Sequence, residues 1–487
     1  MNISSIILIG ATAAIILGIG AWISFFVGKK HDTEDDWLIG GRSLPWYVVA
    51  FTQYATAVGG GIMVAHVGIG YAWGLSVFWY ELFIVAGMVL IAVFATWLRR
   101  GKFATLPEIF ARIYGKNKLM LTVVAIAVIL VPFGWLATQF VAFASLFAEV
   151  TGIEMTPLII AMAIISLLFV LPGGLTSVAW SDFFFGVFMV ISSLLIAGYA
   201  IWQAGGWNTV VVKVPDEFFS MPEGLNLAGW PTLILWFCAV VPGTVTNQLY
   251  YQRVFASKNG KEARTSLYLS AGMVVLAGVY AFLIDIAVRS MNPSLGDDGR
   301  ELAAGWLLAQ LPVWMLALYG AFLMATIVST TGSALQSVVA NMVYDVRGTF
   351  VKTPTTAKQT VSMSRWCTVA VTVVAATLAI VYPQALDWLV GTYSYSASVL
   401  AVPLLVGMVI IRKARIPVQV SLMGMVFGLT GCTGAHITGT TVPYVVFGML
   451  ASLVAYLIGL AMWKPIPETD SQRRAFEQHG VSLTEKG

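Results

Sequence analysis

Long apolar segments separated by short polar loops run through almost the whole chain. Because about 20 apolar residues are needed to cross a bilayer as a helix, the pattern predicts thirteen spanning helices. The chain is therefore predicted to be an all-α integral membrane protein in contact with the lipid bilayer. The predicted segments are 6–27, 46–70, 73–97, 119–148, 157–171, 176–201, 230–251, 265–288, 313–344, 366–382, 385–411, 418–435 and 444–463.

Two of these segments contain residues that interrupt a helix. Three consecutive glycines, 59–61, lie in the middle of segment 46–70, and each glycine costs about 1 kcal/mol of helix stability relative to alanine. Pro242 and Gly243 interrupt segment 230–251 in the same way. Non-helical backbone at membrane depth occurs only where it is buried in protein or lines a cavity. Paired interruptions of this kind point to the binding site of a secondary transporter.

Composition and charge agree with a membrane protein. Hydrophobic residues make up 59% of the chain and charged residues 10%, against about 25% charged residues in soluble domains. With the N-terminus outside, 24 of the 27 Lys and Arg residues fall in inside loops, as the positive-inside rule requires. The net charge of +4 therefore reflects membrane orientation and does not indicate nucleic-acid binding. The predicted location is the plasma membrane, the inner membrane in a bacterium, with a cytoplasmic C-terminus.

The residues that usually carry enzymatic or metal chemistry are few and scattered. Three cysteines and four histidines show no metal-ligand spacing, and no nucleophile and base occur in a recognisable pattern. We therefore expect no transition-metal site and no enzymatic activity.

Five motifs carry a resemblance to a known family. The five motifs occur in the order found in the sodium/solute symporters, and the chain resembles this family, whose members carry sugars, amino acids, vitamins and small carboxylates. The resemblance implies a LeuT-type core of two inverted five-helix repeats with discontinuous first and sixth core helices. The motifs are DDWLIGGRSLPWYV at 35–48, TLPEIFARIYG at 105–115, GGLTSVAWSD at 173–182, YYQRVFASKNGKEAR at 250–264 and VSTTGSALQS at 328–337.

The same resemblance implies how the chain is divided. Residues 1–45 would form an N-terminal helix and a cytoplasmic loop, and residues 46–201 and 230–411 the two repeats. Residues 418–463 would add two accessory helices, and residues 464–487 a cytoplasmic tail. Because both repeats belong to one chain, a monomer would suffice for activity.

The resemblance also implies a site for Na⁺, the expected coupling ion, between the first break and the eighth core helix. Ala55 and Val58 would offer backbone carbonyls, Thr326 a further carbonyl, and Ser329 and Thr330 their hydroxyls. Thr326, Ser329 and Thr330 follow the i, i+3, i+4 spacing that places them on one helix face. The alternative is that these hydroxyl residues serve ordinary helix packing in the membrane.

For a second Na⁺ site, the resemblance leaves two alternatives. Some relatives bind a second Na⁺ with the carboxylate that matches Asp182 and with hydroxyls of the eighth core helix, where Ser333 stands. Two residues depart from that pattern, because Gly332 replaces a hydroxyl and Phe185 replaces a glutamine. The alternative for Asp182 is a structural carboxylate near the membrane interface.

Solute contacts are predicted from polar residues at membrane depth. An ionisable residue such as Glu81 inside a spanning segment indicates function, and in sugar-carrying relatives the matching glutamate contacts substrate. Ala57 stands where proline-carrying relatives have an aspartate. His66 is either a gating or proton-sensitive group or a histidine packed between helices. The seven candidates for solute contact are Ala57, Glu81, Gln139, Asn247, Gln248, Tyr393 and Tyr395.

The resulting hypothesis is a sodium-coupled symporter that imports a small polar organic solute by alternating access. The solute would be a sugar, an amino acid, a vitamin or a carboxylate. Two alternatives are a proton-coupled carrier on the same scaffold and a transporter-like membrane sensor that binds without flux. A proton-coupled carrier would need a titrating group at the sodium position, where the sequence offers only carbonyls and hydroxyls.

Overall fold

The computed structural model describes residues 11, 12, 14–20, 22, 23, 26, 40–170, 175–296, 299–347, 357–411 and 413–467. Helices dominate these residues. The first half contains α1 (Trp46–Ala57), α2 (Gly60–Trp73), α3 (Val77–Arg100), α4 (Leu106–Tyr114), α5 (Lys118–Thr151), α6 (Met155–Val170), α7 (Leu175–Gln203) and α8 (Trp207–Lys213).

The second half of the described residues contains ten further α-helices. A π-helical segment, Ala397–Ala401, joins α15 to α16, and a two-residue strand β1 (Ala414–Arg415) pairs antiparallel with β2 (Ile466–Pro467). The helices are α9 (Trp230–Val245), α10 (Gln248–Ala256), α11 (Gly260–Met291), α12 (Ala303–Gln310), α13 (Val313–Ala340), α14 (Ala357–Val381), α15 (Ala385–Ser396), α16 (Val402–Ile410), α17 (Val418–Thr438) and α18 (Tyr444–Met462).

The helices are long and apolar enough for a multi-pass membrane protein. Within the described residues, ten helical stretches meet the length and composition needed to cross a bilayer, and Met155–Leu168 is a shorter apolar helix. Ten of the 22 residues of the predicted first segment, 6–27, lie outside the described residues, and 468–487 of the predicted tail lie wholly outside them. The all-α class is therefore confirmed, and the count of thirteen spans stays a prediction.

The first core helix is interrupted where the glycine run predicts. Helix α1 ends at Ala57 and α2 begins at Gly60, so that Val58 and Gly59 form the break. The Val58 N–H still donates to the Tyr54 carbonyl at 2.8 Å, which closes the last turn of α1. The break therefore separates two short helices within one membrane crossing.

The sixth core helix is also interrupted, but the predicted position was wrong by four residues. Helix α9 continues through Pro242 to Val245, and Thr246 and Asn247 form the break. The Pro242 carbonyl accepts the Thr246 N–H at 3.0 Å, so the helical hydrogen bonding continues past the proline as far as the break. The Asn247 side chain then accepts the Leu249 N–H at 3.0 Å and caps the new helix.

The end of the sixth core helix brings a further correction. The predicted segment ended at residue 251 and left Arg253 in a cytoplasmic loop, where it counted as an inside charge. Helix α10 instead runs to Ala256, and the Arg253 side chain is only 1% exposed. The arginine is held inside because its guanidinium finds polar partners there, as described below.

A buried carboxylate ties the loop before α12 to the start of the tenth core helix, which is formed by α15 and α16. Glu301 accepts the N–H of Ala385 at 2.8 Å and that of Leu386 at 3.0 Å. Burial raises the pKa of the Glu301 carboxyl, although the two N–H groups favour its charged form. The contact fixes the beginning of α15, the helix that carries Tyr393.

Replacing Glu301 by glutamine tests this contact. In Glu301→Gln one oxygen remains to accept an N–H, while the amide NH₂ faces the other N–H group. Leaving a buried donor unpaired costs about 1–3 kcal/mol, so the variant is expected to melt at a lower temperature. Thermal unfolding of the detergent-purified protein, followed by tryptophan fluorescence, measures the change. Glu223→Gln, at an exposed position, is the matched control, and equal melting temperatures for both variants would contradict the capping role.

Candidate functional site

The first break lies directly against α13, the eighth core helix. The Thr330 hydroxyl donates a hydrogen bond to the Ala55 carbonyl at 3.2 Å, across a separation of 275 residues in sequence. Both residues are buried at 1% exposure. The structure thus brings together a carbonyl and a hydroxyl that the sequence predicts as ligands of one ion.

Gly59 permits this close approach. A Cβ atom added at Gly59 would lie 2.4 Å from the Thr330 Oγ1, well inside contact distance. The backbone of Gly59 has a φ of −59°, which other residues also adopt. Glycine is therefore required at this position because there is no room for a side chain beside Thr330, and not because the backbone conformation is unusual.

The remaining predicted sodium ligands lie on the same two elements. Val58 follows the last residue of α1, and Ser329 precedes Thr330 on α13. The Ser329 hydroxyl is buried and has no hydrogen-bond partner among the described residues, whereas the Thr326 hydroxyl donates to the Phe322 carbonyl of its own helix at 2.9 Å. Hard cations prefer oxygen ligands, and this set of carbonyl and hydroxyl oxygens fits Na⁺.

A buried ion pair lies next to these residues. The Asp182 carboxylate on α7 accepts a hydrogen bond of 2.5 Å from the Thr52 hydroxyl. The same oxygen, Oδ2, is 3.6 Å from Nη2 of Arg253, and each of the two charged side chains is 1% exposed. Removing two charges from water is costly unless they are paired and hydrogen-bonded, and both conditions are met here.

The Arg253 guanidinium also donates hydrogen bonds to groups on three helices, α1, α13 and its own helix α10. Its Nη2 donates to the Thr56 hydroxyl at 2.7 Å and to the Ser333 hydroxyl at 2.9 Å. Its Nε donates to Thr52 at 3.3 Å, and its Nη1 to the Leu249 carbonyl at 3.0 Å. The guanidinium of α10 therefore contacts α1 and α13 in addition to Asp182 on α7.

A second buried pair lies between α2 and α3. His66 Nδ1 contacts Glu81 Oε1 directly, with both side chains almost completely buried. The Tyr80 ring packs edge-on against the imidazole at a centroid distance of 5.0 Å. The backbone of Gly278 approaches the Glu81 side chain so closely that an added Cβ would lie 2.9 Å from its Cγ. The contact between His66 and Glu81 leaves both sequence alternatives for His66 open.

Tyr393 on the tenth core helix lies beside the second break. Its hydroxyl accepts the Trp135 indole N–H at 3.1 Å and lies near the side chains of Asn247 and Thr244. A Cβ added at Gly243 would lie 2.6 Å from the Tyr393 ring. The tyrosine thus packs on α9 just before the break, next to the asparagine that caps α10.

Two further tyrosines, Tyr80 and Tyr250, are buried in this part of the protein, and both are subject to the longer-range electrostatic influence of Tyr393 and Glu81. Glu81, Tyr393 and Asn247 are buried as well, and we call the part of the interior that holds them the polar region between the breaks. Ala57 is the last residue of α1, directly before the first break, and Gln139 is buried on α5.

Two predicted solute residues make contacts of another kind. The Gln248 Oε1 accepts the Leu106 N–H at 2.8 Å and so caps the start of α4. The Tyr395 hydroxyl bonds to His436 on α17 at 2.9 Å, and its ring lies 6.2 Å from that of Tyr444 on α18. Gln248 directly follows Asn247 at the second break, whereas Tyr395 contacts α17 and α18. A solute contact of either residue stays a prediction.

Sequence reasoning missed the residues that complete these contacts. Arg253 lies in the YYQRVFASKNGKEAR motif, and a cation just after a broken apolar segment was the available signal. Thr52 and Thr56 were not singled out, although they stand one turn apart on the segment before the break. Trp135 gave no signal that distinguishes it from the other tryptophans of the chain.

Two interrupted helices, with carbonyl and hydroxyl oxygens at one break and polar side chains at the other, are typical of a secondary transporter. Residues 37–428 match the sodium:solute symporter family. The chain belongs to this family, and as a member it is a sodium-coupled solute transporter with Na⁺ as its coupling ion. Family members are transporters and not enzymes.

Individual relatives agree with this assignment. The sodium/glucose cotransporter of Vibrio parahaemolyticus is 27% identical over 402 residues, which cover 75% of this chain and 73% of the relative. The high-affinity proline transporter PutP of Bacillus subtilis is 25% identical over 378 residues, 73% of this chain and 77% of the relative. Both comparisons extend over most of the two proteins.

A solved structure has a similar fold. It is the substrate-bound, outward-open state of a Na⁺-coupled sialic acid symporter, with a TM-score of 0.81 over 95% of this chain and 99% of that chain. Its sequence identity of 18% supports a statement about the fold alone. The LeuT-type fold implied by the motifs is confirmed.

The contact between Gly59 and Thr330 generates a prediction about Na⁺. In Gly59→Ala the added methyl group must displace the Thr330 side chain, and overpacking of this kind costs about 1–3 kcal/mol. Since 1.4 kcal/mol is a factor of ten, we expect the apparent Na⁺ affinity to fall about tenfold. Na⁺ titration of the purified protein at constant ionic strength, balanced with K⁺ and followed by tryptophan fluorescence, measures it.

Gly391→Ala provides the matched control. Gly391 lies within α15, and a Cβ added there meets no atom within 4 Å. This variant is expected to bind Na⁺ like the wild type. Equal Na⁺ affinity in both glycine variants would show that Thr330 is not held at the ion site.

Proposed function

We propose that this protein imports a small polar organic solute together with Na⁺ by alternating access. The observation that carries the proposal is the hydrogen bond from the Thr330 hydroxyl to the Ala55 carbonyl at the first break. It joins a freed backbone oxygen of one core helix to a hydroxyl of another, at a place where an ion can bind both. Opening this contact would separate the two ligands, so ion binding depends on conformation.

The proposed Na⁺ ligands are the backbone carbonyls of Ala55, Val58 and Thr326 and the hydroxyls of Ser329 and Thr330. The Ser329 hydroxyl, which has no hydrogen-bond partner in the part of the chain that the structure describes, supports this set, because a buried polar oxygen without a partner costs free energy unless a ligand satisfies it. Na⁺ that bridges α1 and α13 shifts the conformational equilibrium by its difference in affinity for the two states. The proposed consequence is closure of the outer path and opening of the inner path.

The proposed solute site is the polar region between the two breaks. Glu81, Tyr393 and Asn247 would contact the solute, with Ala57 and Gln139 beside them. The named relatives carry glucose, proline and sialic acid, so the family relationship favours a small polar solute without selecting its class. Departures of this chain, Ala57 at the proline carriers' aspartate position above all, favour a solute different from proline.

The membrane potential provides the driving force in this proposal. One charge that crosses a potential of 100 mV is worth about 2.3 kcal/mol. At about 1.4 kcal/mol per factor of ten, one Na⁺ supports roughly fifty-fold accumulation of a neutral solute from voltage alone. The inward Na⁺ concentration gradient adds to this value.

The proposed setting is a bacterial plasma membrane. The distribution of Lys and Arg residues supports an external N-terminus and a cytoplasmic C-terminus. With Arg253 removed from the loops, the remaining charges keep the same asymmetry. Repeats 46–201 and 230–411 in one chain support a working monomer.

A proton-coupled carrier is the second candidate, and the buried pair of His66 and Glu81 favours it. Histidine is the side chain whose ordinary pKa permits proton exchange near neutral pH. The pair joins α2 to α3, whereas the proposed Na⁺ ligands belong to α1, the first break and α13, so a proton would bind in addition to Na⁺ or instead of it. Transport driven by a pH gradient without Na⁺ would establish this alternative. Solute binding without flux would instead establish a sensor.

Uptake into proteoliposomes tests the proposed function. Sugars, amino acids, vitamins and short carboxylates are first screened by the thermal shift that each produces with and without Na⁺. Uptake of the solute found is then measured with an inward Na⁺ gradient, with K⁺ in its place, and with a pH gradient alone. We expect uptake only with Na⁺, and a Na⁺ affinity lowered at least about tenfold in Ser329→Ala and Thr330→Val, since each loses a buried ion ligand.

Thr372→Val is the matched control for Thr330→Val. Thr372 is also buried, and its hydroxyl donates to the Thr368 carbonyl of its own helix at 2.8 Å. The control should keep the Na⁺ dependence of the wild type. Identical uptake in Na⁺ and K⁺ media would disprove sodium coupling, and wild-type Na⁺ dependence in both site variants would disprove the ligand assignment.

A second experiment tests the solute site. In Glu81→Gln we expect the solute concentration for half-maximal uptake to rise at least about tenfold, because a buried charge-assisted contact is worth about 1.5–3 kcal/mol. Na⁺ binding without solute should change little, since Glu81 on α3 pairs with His66 on α2, whereas the proposed ion ligands belong to α1, the first break and α13. Glu154→Gln, at an exposed position, is the control. Unchanged solute affinity in Glu81→Gln would remove this residue from the site.

A further inference from the structure

Asp285 on α11 is a carboxyl group that lies outside the sites described above. Its side chain is fully buried, and neither carboxyl oxygen has a hydrogen-bond partner among the described residues. The group lies against the backbone of α2, because a Cβ atom added at Gly70 would overlap Asp285 Oδ2. Gly70 therefore provides the space that Asp285 occupies between the two helices.

Arg289 lies one turn beyond Asp285 on the same helix. Its guanidinium stacks on two aromatic rings, with Cζ 4.9 Å from the ring centre of Tyr71 and 5.5 Å from that of Phe218. The Asp285 oxygens accept no hydrogen bond from it. The arginine therefore faces the aromatic rings and does not pair with the carboxyl group.

Arg300 approaches α2 from the loop before α12. Its backbone carbonyl oxygen lies 3.2 Å from the position that a Cβ atom would take at Gly68, and its guanidinium stacks on the Trp73 ring at 4.9 Å. Positions 68 and 70 point to opposite sides of α2, since two residues turn a helix by about 200°. The backbone of Arg300 is therefore across α2 from Asp285, and its guanidinium is held on the Trp73 ring.

His66 and Glu81 form an ionisable pair next to the same face of α2. His66 precedes Gly70 by four residues, so the two positions lie one turn apart on one helix face. The His66 Nδ1 contacts Glu81, and its Nε2 is buried without a hydrogen-bond partner in the described part of the chain. The histidine thus pairs with Glu81 and makes no hydrogen bond to Asp285.

The remaining elements around the outer half of α11 bring no further buried charge to Asp285, as far as the structure describes them. Tyrosine is neutral near physiological pH, and the charged side chains among these residues are exposed. Helix α12 contains no titratable residue. The titratable side chains in question are Tyr80 of α3, Tyr199 of α7, Lys213 of α8, Asp216 and Glu217 of the loop that carries Phe218, and Tyr319 of α13.

An unpartnered position of this kind favours the neutral form of Asp285. An ionised carboxylate is very costly to bury without a partner, and such a group takes up a proton instead. Helix α2 can move as a unit because the first break separates it from α1. Gly70 lies about 15 Å beyond the start of α2, at 1.5 Å per residue. A small tilt at the break is therefore enough to displace Gly70 from the carboxyl group.

We infer that Asp285 binds a proton from the outer side each time α2 closes against α11, and releases it when α2 tilts away. Asp285 lies six residues before Met291, the end of α11, which the proposed orientation places outside. The proton comes from external water and returns to it. The inference goes beyond the proposed function, because it assigns a proton to the outer closure whichever solute is carried.

The direction of the pH dependence follows from the two forms of Asp285. A hydrated aspartate is ionised at neutral pH, whereas the aspartate beneath α2 is neutral, so closure consumes one proton. The equilibrium constant of closure therefore falls about tenfold for each unit by which the external pH rises. Solute is held only after closure, so high external pH weakens its apparent binding.

Uptake into proteoliposomes measures this effect, with the solute found by the thermal-shift screen, a fixed Na⁺ gradient and a constant internal pH. For the wild type, the half-saturating solute concentration is expected to rise about tenfold per unit of external pH. In Asp285→Asn it is expected to be independent of external pH, because the amide is neutral in both states. Asp285→Leu, which is also uncharged, takes its place if Asp285→Asn does not fold.

Two controls assign the effect to Asp285. Asp216→Asn removes an exposed carboxylate of the outer loop and is expected to keep the pH dependence of the wild type. His66→Gln is expected to keep it as well, and its loss there overturns the inference by assigning the proton to the pair of His66 and Glu81. A wild type without pH dependence, or an uncharged Asp285 variant that retains it, also overturns the inference.

Infrared spectroscopy detects the proton without any solute. Spectra of the purified wild type and of Asp285→Asn are recorded in Na⁺ and in K⁺ media at neutral pH. The difference spectrum is expected to contain the C=O stretching band of a protonated carboxyl group in at least one medium, and its absence from both contradicts a proton on Asp285. Uptake that does not depend on Na⁺ would refute the proposed function and leave this measurement unaffected.

Discussion

Peptide groups in the hydrocarbon layer need partners, because water is absent there, and the two interrupted core helices are organised by this requirement. At the first break the Ala55 carbonyl accepts the Thr330 hydroxyl. At the second break the Asn247 side chain accepts the Leu249 N–H, and the Thr246 N–H returns to the Pro242 carbonyl. Polar side chains gather at both places because freed backbone needs them, and the same polarity makes these places suitable for a cargo.

Local sequence signals were sufficient for much of the fold. Apolar length predicted the spanning helices, and the glycine run at 59–61 predicted the first break, since glycine is unfavourable in helices. The second break was misplaced because Pro242 is a helix breaker only when its missing hydrogen bond and ring cannot be accommodated. Here α9 accommodates the proline, and Asn247, which favours helix N-termini, determines where α10 begins.

The candidate site depended more on contacts between distant residues, which a single sequence does not reveal. Spacing on α13 predicts that Thr326, Ser329 and Thr330 share one helix face, but the approach of Thr330 to Ala55 follows from packing. Gln248 and Tyr395 have the polarity expected of solute ligands. In the structure each also forms a hydrogen bond with a residue that is distant in the sequence. Arg253 was assigned to a loop because an arginine inside a membrane is costly, and its compensation by Asp182 is visible only in three dimensions.

The pairing of Arg253 with Asp182 has an electrical consequence. When a transporter without cargo changes conformation, any unbalanced buried charge moves through the transmembrane field and makes that step depend on voltage. The two side chains have opposite charges and lie 3.6 Å apart at their nearest atoms, so their joint displacement moves no net charge. Return of the empty carrier is then electrically silent with respect to this pair, and the current of the cycle comes from the step that carries the ion.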